Sequence, residues 1–254
     1  MADIKQSVQD QFGKVAANYL TSAVHAAGAD LTLLAEHLRP YPAASVLDAG
    51  CGAGHASAAV APQVREVVAL DLTASMLEQV RTLAAQRGLS NVQTAHGDVE
   101  SLPFEDARFD HVISRYSAHH WPNPAAALRE IRRVLKPGGR FFLSDIVSYD
   151  AYALDTFLQT LELLRDPSHV RDHSAAQWLA LFAGAGLSAR VDATWAVPLG
   201  FDAWVERIAT PAQNVAMLRA LFDGAAAEVR AALTIQPNHD FTIQGALLVG
   251  EKPV

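Results

Sequence analysis

Ser45-Val46-Leu47-Asp48-Ala49-Gly50-Cys51-Gly52-Ala53-Gly54-His55 decides how the rest of the chain is read. Val46 to Ala49 form a short apolar run that ends in glycines, and Ala56 to Val60 continue as an Ala-rich helical run. A strand that enters a helix through glycines exposes backbone N–H groups beside the helix N-terminus, a site for the polar end of a nucleotide-like ligand. Gly50 and Gly52 let that ligand approach the backbone, because no Cβ intervenes. Asp48, at the carboxyl end of the strand, supplies an acceptor in the same crevice. The dinucleotide fingerprint G-x-G-x-x-G fits poorly. Counted from Gly50 its last glycine is His55, and counted from Gly52 it is Ser57.

The composition narrows the function classes. The 254 residues are 50% hydrophobic and 19% charged, which suits one α/β domain with material for a core and a lid. The net charge is −7 and no basic run is present, so a nucleic-acid partner is not expected. Cys51 is the single cysteine. An intrachain disulfide is therefore impossible, and a reducing, cytoplasmic location is expected. The polar start MADIKQSVQDQF is unlike a signal peptide, and no apolar run reaches the ~18 residues of a membrane span.

Residues 4–18 and 22–38 read as helices, with Leu31, Leu34 and Leu38 forming a stripe before Pro40 and Pro42 end the region. Tyr19, Ser22 and His25 fall loosely along one side, either as an exposed face or as a lid over the ligand site. A second strand, Glu66 to Leu70, ends at Asp71, about where an acid meets the ribose hydroxyls of an adenosine ligand. Thr73 is expected to cap the helix 74–86, whose first turn carries Met76, either core filler or an adenine contact. Gly88 closes that helix, and Val92 to Ala95 form a third strand. Asp98, in the loop after it, is placed to accept from an exocyclic amine.

Phe109 to Ser114 form a fourth strand, which opens into Arg115-Tyr116-Ser117-Ala118-His119-His120-Trp121, a crowd of polar and aromatic groups where open α/β sheets bind ligands. Asn123-Pro124 starts a helix as cap and first residue, and Lys136-Pro137-Gly138-Gly139 turns into a fifth strand, 140–146. Residues 147–172 are mainly helical, Ser174 with Gln177 makes a capping box, 187–197 suit a sixth strand, 201–234 are helical, and 241–249 suit the last strand.

Taken in order, Val46-Leu47-Asp48-Ala49-Gly50-Cys51-Gly52-Ala53-Gly54, Asp71, Gly97-Asp98 and Val134-Leu135-Lys136-Pro137-Gly138-Gly139 resemble the class I S-adenosylmethionine (SAM) methyltransferases. Within them the chain resembles the methyltransferase type 11 branch of ubiquinone- and menaquinone-biosynthesis and sterol enzymes, over about residues 10–190. The resemblance implies a Rossmann-like, doubly wound α/β sheet of seven strands, ordered 3-2-1-4-5-7-6 with the last antiparallel. It implies one domain over 1–254, with an N-terminal helical lid (1–40), a SAM-binding core (41–146) and lid insertions at 147–172 and 201–234. By resemblance Asp48, Gly50 and Gly52 face the methionine end of SAM and Asp71 binds the ribose. Asp98 and Val99 hold the adenine with Leu72 and Met76 packed on it, and Arg115 sits beside the sulfonium, with Tyr19 and Ser22 roofing the site. Quinone C-methyltransferases carry arginine about where this chain has His119, which favours a substrate that needs a different polar partner.

The expected reaction is methyl transfer to a small aromatic or heterocyclic metabolite, with oxygen, nitrogen and carbon acceptors all open and S-adenosylhomocysteine (SAH) as product. The protein's task is mainly alignment, worth roughly 7–11 kcal/mol. His119 or His120 is the candidate general base, since histidine suits that role near neutral pH. Tyr116 and Trp121 are candidate aromatic walls, and Arg171 a candidate substrate contact beside weaker ones at Arg165 and His173. No His/Cys spacing suggests a metal site. A SAM-binding protein without transferase activity and an NAD-dependent oxidoreductase are the competing readings. Monomer and homodimer are both open.

Overall fold

Alternation along the central strands divides the core. The structure is a computed structural model that describes residues 3–20, with side chains through Gly13, and residues 28–254. Strand β1 (Ser45–Ala49) is buried at all five positions, as expected for a parallel strand covered on both faces. Its Val46 packs on one face with Leu31, Leu34 and Leu38 of α2 (Ala29–Leu38) and with Ala56 and Val60 of α3 (His55–Val60). Leu47 points to the opposite face. There it joins Leu128 and Ile131 of α5 (Pro124–Val134) and Trp178 and Phe182 of α7 (Ala175–Gly184).

The sheet has seven strands in the order β3-β2-β1-β4-β5-β7-β6, as the resemblance implied. β2 (Glu66–Asp71) and β4 (Phe109–Arg115) flank β1 in parallel, β3 (Val92–His96) lies outside β2, and β5 (Leu135–Val147) lies outside β4. β7 (Phe241–Glu251) runs antiparallel between β5 and β6 (Ser188–Leu199). The expected turn 136–139 is a looped-out segment inside β5: Leu135 pairs with Phe109 and Arg140 with His111, so the four residues between them have no partners on β4.

Several local signals act as read. Asn123 Oδ1 accepts from Ala126 N at 3.0 Å, and both halves of the Ser174/Gln177 capping box form. Thr73 caps α4 (Ala74–Gln86) by position but makes no side-chain cap bond; its N–H donates to Asp71 Oδ1 at 2.8 Å. The helical stretch expected over 147–172 is shorter: α6 spans Tyr152–Arg165, and 166–174 lack helix. Residues 201–234 are three short helices, α8 (Phe201–Glu206), α9 (Ala212–Asp223) and α10 (Ala227–Ala232). The N-terminal helix α1 covers Ile4–Leu20. Ser22 and His25 lie outside the described residues.

A third cluster joins α6, α8, α9 and α10 to Val197, Leu199, Phe241 and Ile243. Register explains its place. Val147, at the carboxyl end of β5, pairs with Gln244, and Leu199 pairs with Phe241, so this cluster stands at the sheet end where the parallel strands open.

Candidate active site

Two clefts meet above the carboxyl ends of β1 and β4. The first encloses about 1020 Å³ counting its open mouth, at the upper end of the roughly 300–1,000 Å³ of small-molecule sites. Its floor is the glycine turn after β1. Gly50 adopts φ +73°, and a Cβ there would stand 2.1 Å from Ser117 Oγ, so only glycine lets the β4 loop close on it. Gly52, at φ +51°, has nothing within 4 Å of where a Cβ would sit, so its backbone faces open cleft.

Three carboxyl groups ring this floor. Asp48 is fully buried, and its Oδ2 accepts from Ser57 Oγ at 2.6 Å. Its Oδ1 is buried without a hydrogen-bond partner among the described residues. Burial pushes the carboxyl up to about 6 against the Ser57 hydrogen bonds. Asp71 Oδ2 accepts from Gly52 N at 2.9 Å and Oδ1 from Thr73 N, which fixes the acid at the end of β2. Burial raises its pKa as well, ahead of these opposing bonds. Asp98 follows β3, and its Oδ2 accepts from Lys5 Nζ at 2.5 Å. Lys5 also donates to Glu100 Oε2 at 2.7 Å.

Helix α1 forms one wall of the cleft. Lys5, Val8 and Phe12 line it, Gln9 Nε2 donates to Leu72 O at 2.9 Å, and Phe12 packs against Ala53 and Met76. Leu72, Met76 and Val99 also line the cleft. Arg115 reaches it from the end of β4. Its guanidinium pairs with Asp30 of α2 through Nε, and through Nη2 at 3.2 Å, and lies 4.6 Å over the Tyr116 ring. Tyr116 holds φ +49°, a conformation uncommon for a side-chain-bearing residue. Burial, with the Asp30 charge, pushes its phenol up to about 12.

The turn Ala118–His120 separates the clefts. Asp145 on β5 organises it: Oδ2 accepts from Ala118 N at 2.8 Å, and Oδ1 meets His119 Nδ1 at 2.7 Å. Burial works against the His119 imidazolium, but Asp145, aided by Asp172 and Glu162, holds it up to about 9. His120 is driven the other way, down to about 4, by burial and then by the charge on His119. The two rings are 4.3 Å apart, so one charge excludes a second. His120 Nδ1 lies 3.0 Å from Ser168 O. A carbonyl only accepts, so Nδ1 carries the hydrogen and Nε2 keeps a free lone pair.

His120, Tyr116 and Phe12 line both clefts; His119 lines only the second. The second cleft is walled by Ile146, Val197, Leu199, Trp204 and Ile243 and carries Glu162, Arg165, Asp166, Asp172 and Arg207. Trp121, expected at the substrate, lines the first cleft instead, its Nε1 donating to Ser117 Oγ at 3.3 Å. Arg171 lines neither cleft; its Nη2 donates to Asp155 Oδ2 at 2.6 Å. His173 packs against Trp178 at 4.9 Å. Tyr19 lies in α1, with its side chain outside the described residues. Among the described residues, no group of three or more His, Cys, Asp or Glu is arranged to hold a metal, and no helix is long and apolar enough to cross a membrane.

Sequence reasoning missed Lys5, Phe12, Asp30, Asp145, Glu162, Asp172 and Trp204. Ser144-Asp145 had a signal, a polar pair inside the apolar run Phe141 to Val147. The others stand on helices or loops whose docking only the tertiary fold sets.

Comparison with known proteins places this arrangement. Residues 47–143, from β1 to β5, match the family described as methyltransferase domain. An uncharacterized methyltransferase of Bacillus subtilis, YcgJ, is 37% identical over 246 residues, covering 95% of this chain and 97% of that one. Its crystal structure superposes with a TM-score of 0.85 at 35% identity, covering 89% of this chain and 99% of that one. The uncharacterized protein YafE of Escherichia coli is 45% identical over 193 residues, 76% of this chain and 93% of that one. A demethylmenaquinone methyltransferase of Clavibacter sepedonicus is 38% identical over 106 residues, 42% of each chain. With the glycine turn, the strand-end acids and the seven-stranded order in place, this chain belongs to the SAM-dependent methyltransferases.

Proposed function

We propose that the chain binds SAM in the first cleft and transfers its methyl group in line to a small aromatic or heterocyclic acceptor held in the second, with His120 as the base between them. The carrying observation is that His120 lines both clefts and that, among the described residues, its hydrogen bond to Ser168 O runs through Nδ1, which leaves Nε2 as the ring's acceptor. The first cleft fits the cofactor on its own residues. Asp48 Oδ1 is a buried acceptor without a donor, suited to the ammonium of the methionyl group, and Gly52 presents backbone where a Cβ would otherwise intrude. Asp71 suits a ribose diol and Asp98 an exocyclic amine.

When bound, SAM supplies a methyl carbon activated by a sulfonium leaving group. The protein aligns and dries the site. Phe12 of α1 lines both clefts and Trp204 of α8 the second, in keeping with lid roles for the N-terminal and 201–234 segments. His120 Nε2 takes the proton released by a phenol, ring N–H or enol as the acceptor atom attacks the methyl.

Calorimetric titration with SAM, SAH and NAD tests this reading. SAM and SAH are expected to bind, and Asp71→Ala to weaken SAH by roughly 10- to 100-fold, as for loss of a hydrogen bond to a charged group worth about 1.5–3 kcal/mol. Binding of NAD alone would overturn the assignment, and SAM binding without product from any acceptor would mark a binding protein.

Asp48 adds a pH dependence. Its folded pKa of about 6 means that it is protonated below that value, while the ligand ammonium needs the carboxylate. SAH affinity is expected to rise as pH goes from 5 to 7, and to stay flat in Asp48→Asn. A wild-type affinity independent of pH across this range would remove Asp48 from the ammonium site.

A further inference from the structure

The second cleft holds more acid than its bases balance. Glu162, Asp166 and Asp172 line it with His119, Arg165 and Arg207, and Asp145 stands behind His119 as its ion-pair partner. Among the described residues four carboxyl groups thus face three cations, and the one without a hydrogen-bonding partner is identifiable. Arg165 is held by Glu162 at 3.4 Å and by Trp204 O at 3.0 Å, and Asp166 Oδ1 accepts from Ser168 N and Oγ. Asp172 is 2% exposed, and its Oδ2 has no hydrogen-bond partner among the described residues. His169 Nε2 is 3.9 Å away, is held in its neutral form by burial and the neighbouring cations, and is within hydrogen-bond distance of Gln159 Oε1 at 3.2 Å instead. A buried polar atom left without a partner is destabilising unless something else satisfies it.

Taking the second cleft as the acceptor site of the proposed methyltransferase, we infer that its acceptor is a hydrophobic molecule with a basic nitrogen, which anchors as an ammonium on Asp172 while its body packs on Trp204, Val197 and Leu199. The anchor and the reacting atom are then at different ends. Asp172 lines only the second cleft, whereas His120 reaches both, so the atom to be methylated points toward His120. An acceptor that brings no donor to Asp172 would leave its Oδ2 without a partner.

The charge balance has a measurable consequence. In the free protein, burial and then the Glu162 charge push the Asp172 carboxyl well above its usual range, with Asp145 adding to this and His119 and Arg171 opposing it. Burial thus favours the protonated form of Asp172 in the free protein. Docking of R–NH3⁺ ionises it, the proton leaves to solvent, and no bond to carbon forms or breaks in this step.

The test is calorimetry on the full chain saturated with SAH, using phenethylamine and tryptamine against their size-matched alcohols and carboxylic acids. The amines are expected to bind at least about tenfold more tightly than the alcohols, and the acids more weakly still. Buffers of differing ionisation enthalpy should report proton release on amine binding. Asp172→Asn should lose the preference and the proton release while keeping SAH affinity, which also reports that the variant is folded. Equal binding of amine and alcohol, preference for the acid, an unchanged amine affinity in Asp172→Asn, or no amine binding while SAH binds would each overturn the inference. Failure of SAH itself to bind would instead remove the methyltransferase reading on which it rests.

Discussion

Asp30→Ala is expected to lower the melting temperature by roughly 6–20 °C. The estimate combines about 3–5 kcal/mol for removing one member of a buried ion pair with about 2–4 °C per kcal/mol for a chain of this length. Asp30 is 2% exposed and Arg115 8%, and between them the carboxylate takes the guanidinium at two nitrogens while Ser144 Oγ adds a third contact at 3.3 Å. Removing the acid takes away the two contacts that hold the buried guanidinium beside β4. SAH binding should weaken with it, because Arg115 lines the first cleft. Thermal unfolding by circular dichroism measures the first effect and calorimetry the second. The double variant Asp30→Ala/Arg115→Leu should recover much of the stability but not the affinity, since it removes the buried charge along with its partner. A shift below about 2 °C in the single variant would mean that Arg115 finds water or another acid.

The second large effect is on turnover. Once an acceptor is in hand, His120→Gln should reduce kcat by roughly 10²- to 10⁴-fold, the range for a positioned acid–base group, while SAH affinity and melting temperature change little. Glutamine keeps the bulk and a hydrogen bond to Ser168 O but has no basic lone pair. The pH profile separates this from a packing defect. His120, at about 4, is neutral throughout the working range, while His119, held up to about 9, remains charged until alkaline pH. Turnover should therefore be supported at neutral pH, and the limb that reports His120 should lie near pH 4 and vanish in the variant. Two titratable neighbours pushed in opposite directions are the pattern expected where one accepts a proton and the other must not. Turnover within threefold of wild type would assign the pair to structure alone.

The glycine turn shows why so much of the cofactor side was legible in the sequence. Asp48 and Asp71 stand at the carboxyl ends of their strands, Gly50, Gly52 and Asp98 follow theirs by one to three residues, and a parallel sheet brings consecutive strand ends to one edge. Position in the chain then fixes position in space. Asp145 escaped notice because it lies within a strand, and its importance depends on pairing with His119, 26 residues away.

Arg171 and Trp121 show the opposite case. Arg171 had the right chemistry for a substrate contact, but the loop after α6 turns it onto Asp155, and Gln159 ties that loop down through Asp172. Trp121 is two positions past His119, and the short turn between them carries its indole back over Ser117. No periodicity reports such turns.

The sequence by itself determined the sheet, its order through family likeness, and the acids and glycines of the first cleft, because these follow from local pattern and strand succession. Only the tertiary structure decided which histidine is charged, where Lys5 and Phe12 close the cleft, and which acids crowd the second one. Those outcomes depend on burial and on charges brought together from α1, β5, α6 and α8, and electrostatic energy in a low-dielectric interior is set by distance in space, which the order of residues does not carry.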